Sequence, residues 1–203
     1  PISKRLRLCA QLVPEGARVA DIGTDHGYLG LYLLQNGLAA HVLAADLRPQ
    51  PLQTAKLHAA KFGFAGQMEF RLSDGLAEIA PDEADTIVCA GMGGDLIVEI
   101  LSACPWLHKK NYTLILQPQS AGQELRRWLG EHGFAIACEQ LVQDGKFLYT
   151  VLRRGHSPLA GRAVRLAVAA PERLAAARCL HAAHRKRAAA ERGGPDGRGA
   201  SAA

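Results

Sequence analysis

The run Val19-Ala20-Asp21-Ile22-Gly23-Thr24-Asp25-His26-Gly27-Tyr28-Leu29 carries the reading of this chain. A short apolar stretch, Ala17–Ile22, reads as a strand that ends in Asp-x-Gly. A second glycine follows four residues later, where a helical pattern opens over Gly27–Asn36. Glycine lets a ligand approach the backbone closely, and a helix N-terminus offers free N–H groups. The dinucleotide fingerprint G-x-G-x-x-G fails: counted from Gly23, its next glycines would fall on Asp25 and Tyr28. A carboxylate at Asp25 would repel a pyrophosphate but suits the ammonium of an amino-acid moiety. Those features point to S-adenosyl-L-methionine, a nucleoside cofactor without phosphate. The same residues also serve a plain βα turn with a capping aspartate.

Outward from this loop, strands and helices alternate. A helix over Ser3–Val13, capped by Ser3, precedes the first strand, and Pro14 and Gly16 stop it. Strands are expected at Ala40–Asp46, Met68–Leu72, Ala84–Ala90 and Tyr112–Gln117. Helices are expected at Pro51–Phe62, Asp95–Ala103 and Gly122–His132. This order predicts an α/β fold with a mostly parallel sheet covered by helices on both faces. Two further strands, Phe134–Val142 and Phe147–Arg153, are joined through Asp144-Gly145, a pair that favours a tight hairpin. Parallel dinucleotide-binding domains usually continue in parallel, whereas a class I methyltransferase Rossmann-like sheet closes on such an antiparallel hairpin.

Asp46 ends the second strand, 25 residues after Asp21, where an acidic side chain can accept ribose hydroxyls. Ser73-Asp74-Gly75 follows the third strand, and Asp74 could take an adenine amino group. Aspartates at the ends of three successive strands form the crevice that open α/β sheets use for ligands. Cys89-Ala90-Gly91-Met92-Gly93-Gly94-Asp95 follows the fourth strand as a bare backbone shelf for cofactor and substrate edge. Gln117-Pro118-Gln119, after the fifth, offers amide groups to a base edge.

The chain has 203 residues, 48% hydrophobic and 21% charged, with a net charge of +5. Residues 156–203 hold nine Arg or Lys against three acids, a net +6, so the first 155 residues carry −1. This divides the chain into a domain at 1–155 and an Ala/Arg-rich basic tail at 156–203, with a possible helix over 172–192 and a disordered end. Such a tail allows a polyanionic partner. Five widely spaced cysteines without a C-x-x-C pair argue against a disulfide framework or a structural zinc. With no membrane-length apolar run and no leader pattern, the expectation is a cytoplasmic protein without metal, membrane association or an obligate protein partner. Cys179, His181 and His184 read as exposed residues of the basic helix rather than metal ligands.

Taken together, Ser3-Lys4-Arg5-Leu6, V-A-D-I-G-T-D-H-G-Y-L, A-G-M-G-G, L-I-L-Q-P-Q and R-R-W-L with H-G-F resemble the bacterial TrmK-type tRNA (adenine(22)-N1)-methyltransferases. The resemblance spans roughly residues 2–153. It implies methyl transfer from S-adenosyl-L-methionine, leaving S-adenosyl-L-homocysteine, to N1 of an adenine in the tRNA D-arm region. By that resemblance Asp21, Gly23, His26, Gly27, Leu29, Asp46, Leu47, Asp74, Gly75, Ala90 and Gly91 would hold the cofactor. Asp25, Met92, Gly93, Gln117 and Pro118 would surround the reacting atoms. Lys4, Arg5, Arg7, Arg126 and Arg127 are candidate RNA contacts. The residues alone leave open another RNA, a small-molecule acceptor, or a non-catalytic binding protein. The family normally ends in a helical, coiled-coil-like domain; the corresponding segment here is short, alanine- and arginine-rich and without leucine heptads, which leaves open a divergent basic helix or the product of a shifted reading frame.

Overall fold

The structure, a computed structural model, describes residues 2–109 and 111–155. The basic tail, with its expected helix and its Cys179–His181–His184 group, lies outside the described residues. Five helices are α1 (Lys4–Gln11), α2 (Tyr28–Gln35), α3 (Pro49–Lys61), α4 (Gly94–Ser102) and α5 (Gly122–Glu131). The strands are β1 (Ala17–Ile22), β2 (Ala39–Asp46), β3 (Met68–Leu72), β4 (Thr86–Gly93), β5 (Thr113–Ser120), β6 (Ile136–Asp144) and β7 (Phe147–Arg154). A short 3-10 helix, Pro105–His108, was not foreseen from the sequence. One seven-stranded sheet has the order β3-β2-β1-β4-β5-β7-β6, parallel through β5 and antiparallel at β7 and β6.

Local chemistry explains most boundaries. Ser3 Oγ accepts from the Leu6 N–H, the cap expected of it. Pro49 sits in the first turn of α3, where its missing N–H is not needed. Alternating strand residues divide the interior into two layers. Ala20, Ile22, Leu43, Ala45, Ile87, Cys89, Leu114 and Leu116 point toward α4 and α5. Val19, Val42, Ala44, Val88 and Ile115 point toward α1, α2 and α3. Asp21, Asp46 and Gln117 share the parity of this second set, so their side chains emerge on the α1–α3 face.

Three sequence expectations are corrected. β4 does not stop at Ala90: it runs on to Gly93, with Met92 opposite Pro118 and Gly93 opposite Ser120. Register shifts on both sides of Met92 mark a bulge, and Gly91 occupies it at φ +82°. β5 likewise continues through Gln117-Pro118-Gln119 to Ser120 rather than turning. Third, the hairpin loop is Gly145-Lys146, because Asp144 still pairs with Phe147. Only the first loop residue has a positive φ, Gly145 at +62°, as a II′-type turn requires. Asp144 instead accepts the Arg5 N–H (3.2 Å), binding the hairpin to the first turn of α1.

Candidate active site

A cavity of about 420 Å³ opens at the carboxyl ends of β1 to β4. Gly23, Asp25, Asp46, Leu47, Asp74, Gly75, Ala90, Gly91 and Met92 line it, all singled out from the sequence. A smaller recess of about 80 Å³ adjoins it and holds Asp21, Thr24 and Leu29. Gly23 and Thr24 donate their N–H groups to the Ala45 carbonyl (2.8 and 3.0 Å), tying the first loop to the end of β2. Gly23 has φ +67°, and the Met92 methyl lies over its Cα, where a Cβ would stand 2.3 Å from Met92 Cε. A larger residue here would be strained at this φ and would displace the Met92 side chain.

Asp46 is buried at the end of β2. Its Oδ2 accepts the Asp25 N–H (3.1 Å) and its Oδ1 the Arg48 N–H (2.9 Å). A carboxylate has about four lone-pair sites, so acceptor capacity remains on the cavity side. The first of these bonds also holds Asp25 at φ +55°, a left-handed conformation that aspartate tolerates better than most residues. The exposed Asp25 carboxylate has Arg48 Nη2 at 3.8 Å and His26 Nε2 at 3.7 Å. Leu47, 64% exposed, stands with Leu96 and Ile100 as apolar walls. Asp74 is exposed on the cavity rim. Beside it, buried Ser73 fixes the loop by donating to the Gly75 carbonyl (2.9 Å).

Asp21 differs from the other two strand-end aspartates. It is 3% exposed, and burial raises its carboxyl pKa to about 6, against the lowering effect of the Thr24 hydroxyl that donates to it (2.7 Å). The nearby charge of Asp46 raises it further. Burial also pushes the Cys9 and Cys89 thiols up to about 12, so both stay protonated and neither is a thiolate nucleophile.

Several residues read as site groups stand elsewhere. Gln117 is fully buried: its Oε1 accepts both the Gly91 N–H (3.0 Å) and Arg5 Nη1 (2.9 Å), and its Nε2 donates to the Pro118 carbonyl (3.0 Å). It is engaged on both sides, and Gln119 is the exposed amide of that strand. Pro118 is buried in the bulged ladder, while Gly93 pairs with Ser120 and caps α4. Gly27 is the left-handed cap of α2 (φ +74°), with a Cβ position 2.8 Å from Ala55. His26 packs its ring edge-on to Tyr28, and its carbonyl is 3.1 Å from His58 Nδ1. None of these five lines the two cavities.

The basic candidates separate in the same way. Lys4 and Arg7 are exposed. Arg126, half-buried, is held by a two-pronged ion pair with Glu139 and donates to the Gly122 carbonyl, so its guanidinium is already engaged within the protein. Arg127 is exposed among Asp95, Glu99, Glu124 and Glu131, an acidic neighbourhood for a phosphate contact. Arg5 turns inward and lines both cavities. Sequence reading missed Arg48, Leu96 and Ile100. Leu96 did carry a signal, as an apolar residue beside the buried Ile97 and Ile100 stripe of α4. Among the described residues no His, Cys, Asp or Glu cluster could hold a metal ion, and no helix is long and apolar enough to cross a membrane.

A family model described as a methyltransferase domain matches residues 2–152. The chain is 38% identical over 151 residues to the tRNA (adenine(22)-N(1))-methyltransferase of Bacillus subtilis, covering 74% of this chain. It spans 63% of that relative's length. Among solved structures, that of the B. subtilis m1A22 tRNA methyltransferase TrmK superposes with a TM-score of 0.72 at 36% identity, covering 77% of this chain and 68% of that one. The Mycoplasma capricolum TrmK structure in complex with S-adenosyl-homocysteine gives 0.67 at 30% identity, covering 76% and 68%.

Proposed function

Because the chain belongs to the methyltransferase-domain family and, within it, to the TrmK-type tRNA (adenine(22)-N1)-methyltransferases, we propose that it methylates N1 of an adenine in the D-arm of tRNA, adenine 22 by kinship. The observation that carries the reading is the chemistry of the 420 Å³ crevice: carboxylates at successive strand ends, apolar walls, and no glycine-rich phosphate loop. A nucleoside joined to an amino acid fits that donor set, and a dinucleotide does not. Bound there, S-adenosyl-L-methionine supplies an electrophilic sulfonium methyl group.

The chain's own residues bind and orient. Asp46, fixed by two backbone N–H groups, offers its remaining lone pairs to ribose hydroxyls. Leu47, Leu96 and Ile100 would flank the cofactor's adenine ring, and Asp74, at the rim, would meet its amino group. Asp25 supplies negative charge at the mouth for an ammonium group. Adenine N1 has a free lone pair at neutral pH, so the acceptor needs positioning more than a general base. That edge is paired in duplex RNA, and the target base must therefore be unpaired or turned out of the helix. The Gly91 bulge, held by Gln117 and flanked by the Arg5 guanidinium, lines the crevice at the place where such a base would be presented.

The test is to incubate the full chain with S-adenosyl-L-methionine and an unmodified tRNA transcript, then map reverse-transcription stops. One new stop at a D-arm adenine is expected. No stop anywhere, under conditions where S-adenosyl-L-homocysteine binds, overturns the proposal.

A further inference from the structure

A groove of about 600 Å³ runs along the outer side of α2, and the cofactor crevice is not its only neighbour of interest. Tyr28, Tyr32 and Gln35 form a stripe down α2 at helical spacing; Ile2, Ser3 and Leu6 form one bank, and Phe62, at the end of α3, stands across from them. Tyr28 and Phe62 are each 51% exposed. The Tyr28 ring is held rather than free, stacked on His58 (centroids 5.3 Å apart) and edge-on to His26 (5.8 Å). At the crevice end, Arg5 and Asp25 line the groove and the crevice alike, so the two form one continuous surface. At the other end, Lys61 Nζ lies 5.9 Å from the Phe62 ring centroid.

Exposed aromatic rings beside a cation are features by which proteins hold single-stranded nucleic acid: bases stack on the rings, and the exposed Lys61 beside Phe62 is the cation open to a phosphate. The exposed Gln35 and Lys61 suit a polar, anionic strand better than an apolar peptide or lipid chain. Resting on the reading of RNA as the substrate, we infer that this groove binds the unpaired nucleotides flanking the target adenine, with bases stacked on Tyr28 and Phe62. Their binding would keep the strand open beside the crevice and feed one base toward the Gly91 bulge.

Phe62 lines neither cofactor cavity, which makes it the residue to change. Phe62→Leu keeps apolar bulk and removes the ring; Phe62→Tyr restores it. Fluorescence anisotropy with a labelled single-stranded RNA oligonucleotide, and with the same sequence as a duplex, reads binding without turnover. Steady-state methylation of tRNA transcript reads KM and kcat separately. For Phe62→Leu we expect about a 5- to 10-fold weaker Kd for the single strand and a similar rise in KM. Unchanged kcat, unchanged S-adenosyl-L-homocysteine affinity and recovery in Phe62→Tyr should accompany them. Equal single-strand binding by wild type and Phe62→Leu, or an unchanged KM, overturns the inference while leaving the methyltransferase reading intact. Ring-dependent binding by a protein that methylates no tRNA would uphold the groove and overturn the reading of the reaction.

Discussion

Gln117→Met isolates the part of the site that holds the Gly91 bulge. Methionine nearly matches glutamine in volume, so the change removes an acceptor without opening a cavity. The Gly91 N–H then loses its partner in the bulge, at about 1–3 kcal/mol for a donor left unsatisfied. The Arg5 guanidinium loses a charge-assisted bond but is only half-buried and can turn to water, returning about 1 kcal/mol or less. The Pro118 carbonyl also loses the Gln117 Nε2 donor, at about 1 kcal/mol, so the expected loss is about 2–5 kcal/mol, out of the roughly 5–15 kcal/mol typical of a folded domain. Arg5→Met leaves the bond between Gln117 and Gly91 in place and should cost about 1 kcal/mol. In the double variant the Arg5 contribution vanishes, giving a coupling of about 1 kcal/mol. Urea titrations of the four proteins supply these numbers. Calorimetry with S-adenosyl-L-homocysteine should show weaker binding for Gln117→Met, because Ala90 and Gly91 line the crevice. A Gln117→Met protein within about 0.5 kcal/mol of wild type, with unchanged affinity, would refute the clamp.

Two other perturbations follow from the geometry. The Asp21 carboxyl titrates near 6 when folded against an ordinary value of 3.8, so between those pH values the folded chain keeps a proton that the unfolded chain releases. Its contribution is therefore fully present below about pH 4 and lost by about pH 6, a decline of about 3 kcal/mol as pH rises. The stability difference between wild type and Asp21→Asn, followed by urea titration from pH 4 to 7, should carry that slope; a flat difference would mean that Asp21 titrates normally. Gly23→Ala adds a Cβ at φ +67° and 2.3 Å from Met92 Cε, costing about 1–2 kcal/mol in backbone strain and pushing Met92 into the crevice. Calorimetry should find weaker S-adenosyl-L-homocysteine binding, substantially recovered in Gly23→Ala/Met92→Ala, while the stability loss from the strain remains.

The order of strands and helices was legible because each depends on neighbours a few residues away. Apolar runs between helical periods, Ser3 before α1 and Gly145 in the hairpin act over one turn of chain, and α3 was placed to within two residues, from Pro51 where it starts at Pro49. Asp46 and Asp74 were legible for the same reason: strands of a parallel sheet end at one edge, so residues at those ends converge whatever lies between. Ala90-Gly91-Met92-Gly93 and Gln117-Pro118-Gln119 were not, since glycines and a proline look like loops until the strand alongside supplies their hydrogen bonds. Nor could the sequence say that Arg126 would close on Glu139, or that Arg5 would cross to Gln117, 112 positions away. Periodicity and turn chemistry are written in adjacent residues, so the sequence by itself determined the sheet and the edge at which its crevice opens. Which polar groups at that edge stay free for a ligand depends on partners that meet only when the sheet has formed, and the tertiary structure alone decided that.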